Sequence, residues 1–279
     1  MSTVAIIGAG EIGAACARAL AAAERVRRII LIDEVAAAGK ALDIQQSGPI
    51  DLFDARLEGT ADLAAAIHAD VCVIADRMSA PAGEWTGDAG LALVARLAPL
   101  ASRAPLVFAG PHAATLMEQA VTELHIPRAR LLGSAPAGLA SAARALTALD
   151  AGCSATDVAL GLVGSGTAFV IPWSQASIAG FGASTVLPQA ALARIEARVA
   201  RLWPPGPETL GVAAARLVEG VAQSSRRTFT AFVVLDGELG VRGRVAALPV
   251  LVSGRGLAEV RLPPLSGREQ VQLESALGR

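Results

Sequence analysis

Three glycines near the N-terminus are spaced as in a loop that holds nucleotide phosphates. The first allows a tight turn, the second lets backbone amides approach a pyrophosphate at a helix N-terminus, and the third lets helix and strand pack closely. Asp33 follows 20 residues after the last glycine, at the end of a second apolar run. A carboxylate there accepts a hydrogen bond from a ribose 2′-hydroxyl and repels a 2′-phosphate, so NAD is expected rather than NADP. The predicted cofactor site consists of Gly8, Gly10, Glu11, Ile12, Gly13 and Asp33.

The elements that position this loop follow from the hydrophobic pattern. Apolar runs at 4–7, 29–32, 71–74, 106–108 and 131–132 alternate with helical patterns at 13–23, 88–101, 112–124 and 138–151. Such alternation predicts a parallel sheet covered on both faces. Beyond residue 158 the pattern predicts strands at 160–163, 168–171, 229–235, 247–252 and 256–260, with helices at 188–203 and 209–223. The expected fold class is α/β: a Rossmann-type, doubly wound parallel sheet in an NAD-binding domain at 1–135, followed by an α+β C-terminal domain at 136–279.

The composition excludes several classes of protein. Apolar residues make up 53% of the 279 positions and charged residues 18%, which excludes a disordered chain. The net charge of −1, without long runs of either sign, gives nucleic acid no basic surface to bind. The charge-free stretch at 158–193 is interrupted too often by small and polar residues to be a membrane span. Separated cysteines and histidines offer no metal site, and with no signal-peptide pattern a reduced, cytoplasmic setting is expected.

Several segments together resemble the lactate and malate dehydrogenase family. They are the glycine loop, residues 31–44 with Pro49 after them, and residues 245–260, and the resemblance extends over nearly the whole chain. It implies an NAD domain, an α+β substrate domain, hydride transfer to or from a 2-hydroxy acid, and a homodimer or homotetramer. This chemistry needs a histidine to exchange the hydroxyl proton, a carboxylate to hold its tautomer, and an arginine to bind the substrate carboxylate.

At the positions where the resemblance implies these groups, the chain has other residues. The family's His-Gly-Asp segment falls on 164–167, which puts Ser165, or Gly166 with a shifted gap, at the histidine position. The orienting aspartate corresponds to Ala140, and the carboxylate-binding arginine to Ala143. These differences predict a protein that is inactive on malate and lactate.

The nucleotide side of the cleft also departs from the family pattern. The Asn-Pro that contacts substrate and nicotinamide reads Gly110-Pro111, and the glycine after the fourth strand is Asp76, close to the expected pyrophosphate. Asp76 and Arg77 are expected to form a surface pair, with a diphosphate contact through Arg77 as the alternative. The loop at 78–88 is acidic where the family has arginines, and Trp85 within it is expected to be exposed, either to cap a ligand or to pack at a subunit contact.

Only three histidines could replace the missing proton carrier. His68 stands at a predicted helix end, where a solvated or helix-dipole role is expected, and His125 stands in a helix-to-strand loop with a similar role. His112 follows Gly110 at the carboxyl end of a predicted strand, the edge where open α/β sheets bind ligands, and is the weak catalytic candidate. Two hypotheses follow: a non-catalytic family member that binds a small-molecule nucleotide, or an NAD-dependent oxidoreductase acting on a substrate that is not a dicarboxylate.

Overall fold

A computed structural model describes residues 2–78, 83–165 and 168–278. The first half contains strands β1 (Thr3–Ile7), β2 (Arg28–Ile32), β3 (Arg56–Thr60), β4 (Val71–Ile74), β5 (Asp76–Arg77), β6 (Gly83–Glu84), β7 (Leu106–Phe108) and β8 (Leu131–Gly133). The second half contains β9 (Val158–Ala159), β10 (Val163–Ser165), β11 (Ala168–Val170), β12 (Ser177–Ile178), β13 (Phe181–Gly182), β14 (Phe229–Asp236), β15 (Arg242–Ser253) and β16 (Gly256–Val260). The helices are α1 (Glu11–Ala23), α2 (Ala37–Asp51), α3 (Gly87–Leu100), α4 (Ala114–Thr122), α5 (Ala135–Ala151), α6 (Ala183–Val186), α7 (Gln189–Ala200), α8 (Pro207–Ala222) and α9 (Gly267–Ala276).

One large sheet runs through the molecule. Its parallel part has the order β3-β2-β1-β4-β7-β8, and β14, β15, β10 and β11 continue it with antiparallel pairings. This is the predicted Rossmann-type, doubly wound arrangement, so the fold class is confirmed. The chain builds outward from β1 in one direction and from β4 in the other, and the direction therefore reverses between these two strands. Open α/β sheets bind ligands in the crevice at the carboxyl ends of such a strand pair.

The central strands form because they are apolar on both faces. In β1, Val4, Ala5 and Ile6 are fully buried, and all of β4 is buried as well. A parallel strand covered by helices on both faces needs a continuous apolar run instead of an alternating one. The core therefore lies on both sides of the parallel strands, and their polar functional residues are confined to the strand ends.

Helix α8 from the second half packs directly on α1 from the first. At Gly211 an added Cβ would lie 2.7 Å from the backbone nitrogen of Cys16 and from the carbonyl oxygen of Ile12. A side chain there would push the two helix backbones apart, so glycine is required for this close approach. The contact joins the helix that begins at the glycine loop to the second half of the chain.

A single carboxylate fixes the last helix, α9. Glu269 is buried and accepts hydrogen bonds from the backbone and hydroxyl of Ser174 and from the backbone and hydroxyl of Ser266. Ser266 and Glu269 form a capping box at the start of α9, while Ser174 lies in the segment that precedes β12. Capping and docking of α9 therefore depend on the same side chain.

The structure corrects several predicted boundaries. Residues 160–162 are not part of a strand, and the strand predicted there is β10, which begins at Val163. The helix predicted from 112 begins at Ala114. The domain division at residue 135 stays a prediction. The large sheet extends across that position, since Gly133 of β8 pairs with Phe232 of β14. No helix among residues 2–78, 83–165 and 168–278 combines the length and apolarity needed to cross a membrane.

Candidate functional site

The glycine loop joins β1 to α1 at the carboxyl edge of the sheet. Gly8 has a φ of +106°, a conformation that favours glycine, and its N–H donates to the Ile32 carbonyl at 2.8 Å. An added Cβ at Gly13 would overlap the Gly8 carbonyl oxygen, so the third glycine is required for close packing. Between them, Glu11 is exposed in the first turn of α1 and Ile12 is buried in the core. The tight turn predicted at Gly8 and the close packing predicted at Gly13 are both present, while the pyrophosphate contact expected at Gly10 stays a prediction.

Asp33 lies beside this loop at the end of β2. Its Oδ2 accepts hydrogen bonds from the backbone N–H groups of Ala9 and Met78, both at 2.9 Å, and its Oδ1 accepts one from Val35 at 3.2 Å. A carboxylate has about four acceptor positions, so these three bonds leave room for one further donor. Asp33 is therefore held beside the glycine loop at the end of β2 and retains capacity for one more hydrogen-bond donor.

The Asp76 side chain lies over the glycine loop. Its Oδ1 accepts a hydrogen bond from the Gly13 N–H at 3.0 Å, and its backbone carbonyl accepts one from the Gly10 N–H, also at 3.0 Å. An added Cβ at Gly10 would clash with the Asp76 carboxylate. The first amides of a helix attract anions, and phosphate groups bind there in dinucleotide folds. In this structure a carboxylate of the chain itself stands at that place.

Asp76 belongs to an acidic hairpin, defined here as β5 paired with β6. Asp76 pairs with Glu84, and Arg77 pairs with Gly83. The Arg77 guanidinium carbon lies 4.8 Å from the centre of the Trp85 ring, in a cation–π contact. Asp76 and Arg77 thus have different partners, and the expected surface pair is wrong. The expected exposure of Trp85 is also wrong, because the indole is half-buried and packs against the main core. The loop residues 79–82 lie outside the described residues.

Glu84, at the end of the acidic hairpin, contacts the carboxyl end of β7. Its Oε1 lies 2.7 Å from Nδ1 of His112, and its Oε2 accepts a hydrogen bond from the His112 backbone N–H at 3.1 Å. An added Cβ at Gly110 would overlap the Glu84 carboxylate, which occupies the space that any larger residue would need. The two contacts with the carboxylate orient the imidazole, and the His112 side chain as a whole is 61% exposed.

The positions that the family resemblance assigned to proton transfer and carboxylate binding lie in apolar or backbone-bonded surroundings. Ala140 and Ala143 on α5 are buried within an apolar cluster that also includes residues of α7. Ser165 donates its hydroxyl to the Val245 carbonyl at 3.0 Å, and Gly166 lies outside the described residues. Arg144, next to Ala143, donates to the Leu160 carbonyl at 3.0 Å, and burial lowers the pKa of its guanidinium.

The other two histidines lie away from this crevice. His68 is exposed in the connection that leads into β4, and His125 is exposed in the connection that leads into β8. Both connections precede a parallel strand, so they lie at the amino edge of the sheet, opposite the glycine loop. Among the described histidines, His112 alone stands at the edge where the glycine loop lies.

The sequence predicts that Asp76 lies near the glycine loop, but the hydrogen bond from the Gly13 N–H to its carboxylate is seen only in the structure. The sequence also does not connect Glu84 with Gly110 and His112, because two-residue strands have no periodicity from which to deduce a pairing. One signal in the sequence could have indicated the contact. The glycine at 110 leaves a space that a larger residue would fill, and the carboxylate of Glu84, in an earlier loop, is large enough to occupy it.

Comparisons with known proteins agree on the relationship. A malate dehydrogenase of Thioalkalivibrio sulfidiphilus is 30% identical over 99% of this chain and 96% of its own length. One of Cytophaga hutchinsonii is 26% identical over 98% and 94%. The structure of malate dehydrogenase from Salinibacter ruber, 24% identical, superposes with a TM-score of 0.87 over 99% of this chain and 94% of that chain. That from Aeropyrum pernix, 19% identical, gives 0.84 over 99% and 95%. No protein-family model matches.

The sheet order and the glycine loop define a Rossmann-type dinucleotide fold, and the two structural likenesses establish the same fold over the whole length. The identity to the Thioalkalivibrio enzyme, over nearly all of both chains, is more specific. The chain belongs to the malate dehydrogenase family of oxidoreductases.

Proposed function

We propose that this protein is an NAD-binding member of the malate dehydrogenase family that does not oxidise malate or lactate. The observation that carries the proposal is the pair of buried alanines on α5. Ala140 and Ala143 are at most 1% exposed, in an apolar cluster at the positions assigned to the orienting aspartate and the substrate-binding arginine. A dicarboxylate would find no cation at these two positions, and the neighbouring Arg144 donates to the Leu160 carbonyl. An unpaired charge placed among apolar side chains is strongly unfavourable.

The crevice fits one end of NAD better than the other. Gly8, Gly13 and the remaining acceptor position of Asp33 suit a nucleoside at the end of β2. The diphosphate would meet the Asp76 carboxylate at the Gly13 amide, so it does not fit unless that side chain moves. When bound, NAD would supply the hydride acceptor, and this chain's own groups would only bind and orient it.

Turnover assays with the purified protein test the proposal. NAD with L-malate or L-lactate, and NADH with oxaloacetate or pyruvate, are expected to give no rate above that of the buffer, followed by NADH absorbance. A kcat of about 1 s⁻¹ or more on any of these acids, the ordinary range for enzymes, would overturn it.

Binding is measured separately from turnover. Titration with NADH, by calorimetry and by tryptophan emission, is expected to saturate, whereas NADPH is expected to bind at least tenfold more weakly because Asp33 repels its 2′-phosphate. Equal affinity for the two nucleotides would contradict the role given to Asp33.

A second candidate function rests on the pairing of Glu84 with His112. A carboxylate that fixes one imidazole nitrogen leaves the other able to exchange a proton, as general acid–base catalysis requires. The protein would then be an NAD-dependent oxidoreductase for a neutral hydroxy compound, because the nearby Glu84 and Asp76 repel acids. Turnover of a neutral alcohol that falls about 100-fold or more in His112→Ala, with NADH affinity unchanged, would favour this candidate.

A further inference from the structure

This chain places a carboxylate of its own where a nucleotide diphosphate would bind. The Asp76 carboxylate accepts the Gly13 N–H and fills the space over Gly10 that the missing side chain leaves. The α1 N-cap residue, Gly10, supplies no side-chain cap, and the Asp76 carboxylate instead accepts one amide of the first turn, that of Gly13. A phosphate oxygen and this carboxylate oxygen cannot occupy the same position.

Asp76 is not a loosely placed side chain. Its carbonyl accepts the Gly10 N–H, and the next residue but one, Met78, donates its backbone N–H to Asp33. The first contact ties β5 directly to the glycine loop. The second ties the residue after β5 to Asp33, which also accepts the Ala9 N–H of that loop. If the whole strand moved away from the loop, these two bonds would break together with the bond from Gly13 to the Asp76 carboxylate.

The second strand of the acidic hairpin is anchored on the neighbouring part of the crevice. Glu84 packs against Gly110 and holds His112 through two contacts. One hairpin thus places two carboxylates against the carboxyl ends of the central strands, one beside α1 and one beside β7. The Arg77 guanidinium, which could neutralise them, stacks on Trp85 instead.

We propose that the acidic hairpin is a built-in competitor for the dinucleotide, with Asp76 in the position of the diphosphate, so that nucleotide binds only when this carboxylate is displaced. The inference rests on the proposed function, since it concerns NAD at the glycine loop. Displacement breaks a hydrogen bond between a half-buried carboxylate and a backbone amide, which contributes enough to change an equilibrium constant about 5- to 30-fold. The protein would therefore bind NADH more weakly than its glycine loop alone allows.

The test compares NADH affinity in the full-length wild type, Asp76→Gly and Asp76→Asn by calorimetry. Asp76→Gly removes the competitor and is expected to bind NADH about 5- to 30-fold more tightly than wild type. Asp76→Asn keeps the shape and removes the charge, so its affinity is expected to lie between the two. Asp88→Asn is the matched control, since Asp88 is an exposed acid in the first turn of α3, and its affinity is expected to equal that of wild type.

The outcomes separate the two proposals. Micromolar binding by wild type with less than a twofold change in both Asp76 variants would overturn the competitor and leave NAD binding intact. If Asp88→Asn gained as much NADH affinity as Asp76→Gly, the competitor proposal would also be overturned, because the gain would then reflect the overall charge of the protein. No binding to wild type or to correctly folded Asp76→Gly at millimolar NADH would overturn NAD binding and the competitor together. Thermal unfolding of each variant establishes that it is folded.

Discussion

The position of the Asp76 carboxylate can be tested without any nucleotide, through the glycine beneath it. Gly10 has an extended backbone with a φ of −68°, which alanine adopts without strain. The methyl group of Gly10→Ala would nevertheless clash with the Asp76 carboxylate. The Asp76 backbone is held on both sides, so its side chain has to rotate away and lose the bond to Gly13.

The expected cost follows from that single bond. A hydrogen bond to a charged group contributes about 1.5–3 kcal/mol, and water replaces part of it because Asp76 is only half-buried. We therefore expect Gly10→Ala to be about 1–2 kcal/mol more destabilising in wild type than in the Asp76→Gly background. Urea unfolding of wild type, both single variants and the double variant gives this coupling energy.

Gly39→Ala is the matched control for the glycine substitution. Gly39 lies inside α2, and nothing is within 4 Å of an added Cβ. This change is expected to stabilise by about 0.5–1 kcal/mol, as alanine does in a helix, and to add independently to Asp76→Gly. A coupling between Gly10 and Asp76 of less than about 0.5 kcal/mol, the usual limit for independent sites, would refute the placement of the carboxylate over the loop.

Three other features lead to measurable predictions. Burial acts to raise the pKa of Glu269, but its serine hydrogen bonds outweigh burial and lower it. Glu269→Gln should therefore cost about 1–3 kcal/mol in urea unfolding at pH 7, and the difference should shrink as the pH falls below the unfolded value of about 4.3. Burial raises the pKa of Cys16 and Cys72 to about 12, so a thiol reagent at pH 8 should label only the half-buried Cys153 until the protein unfolds, as mass spectrometry can establish. We expect a homodimer or homotetramer by light scattering, with a lower mass for Ile50→Arg, whose wild-type side chain is 82% exposed; a wild-type monomer at micromolar concentration would contradict self-association.

The first half of the fold could be predicted because its signals are local. The apolar runs of the central strands and the glycines at the β1–α1 turn determine structure within a few residues of themselves. Helix α2 was not predicted, since Gly39, Gly48 and Pro49 all lower helix propensity and only packing on the sheet restores it. Helix α9 was missed although the Ser266–Glu269 capping box marks its start.

The candidate site was predictable only in part, for a physical reason. The glycine loop depends on a backbone geometry that its glycines determine directly. The positions of Asp76 and Glu84 depend instead on how a hairpin with two-residue strands folds back across the crevice, and neither strand is long enough to show a hydrophobic pattern. The bond from Gly13 to Asp76 spans 63 residues, so it follows from the tertiary fold and from no local feature.

The close packing of α8 on α1 limits how this protein can be dissected. Because no side chain separates the backbones at Gly211, the buried face of α1 is completed by a helix from the other half of the chain. A fragment that ends near residue 135 would expose that alanine-rich face to water, and with it the helix that carries the glycine loop. We therefore expect that cutting the polypeptide at the predicted boundary does not give a first half that folds by itself.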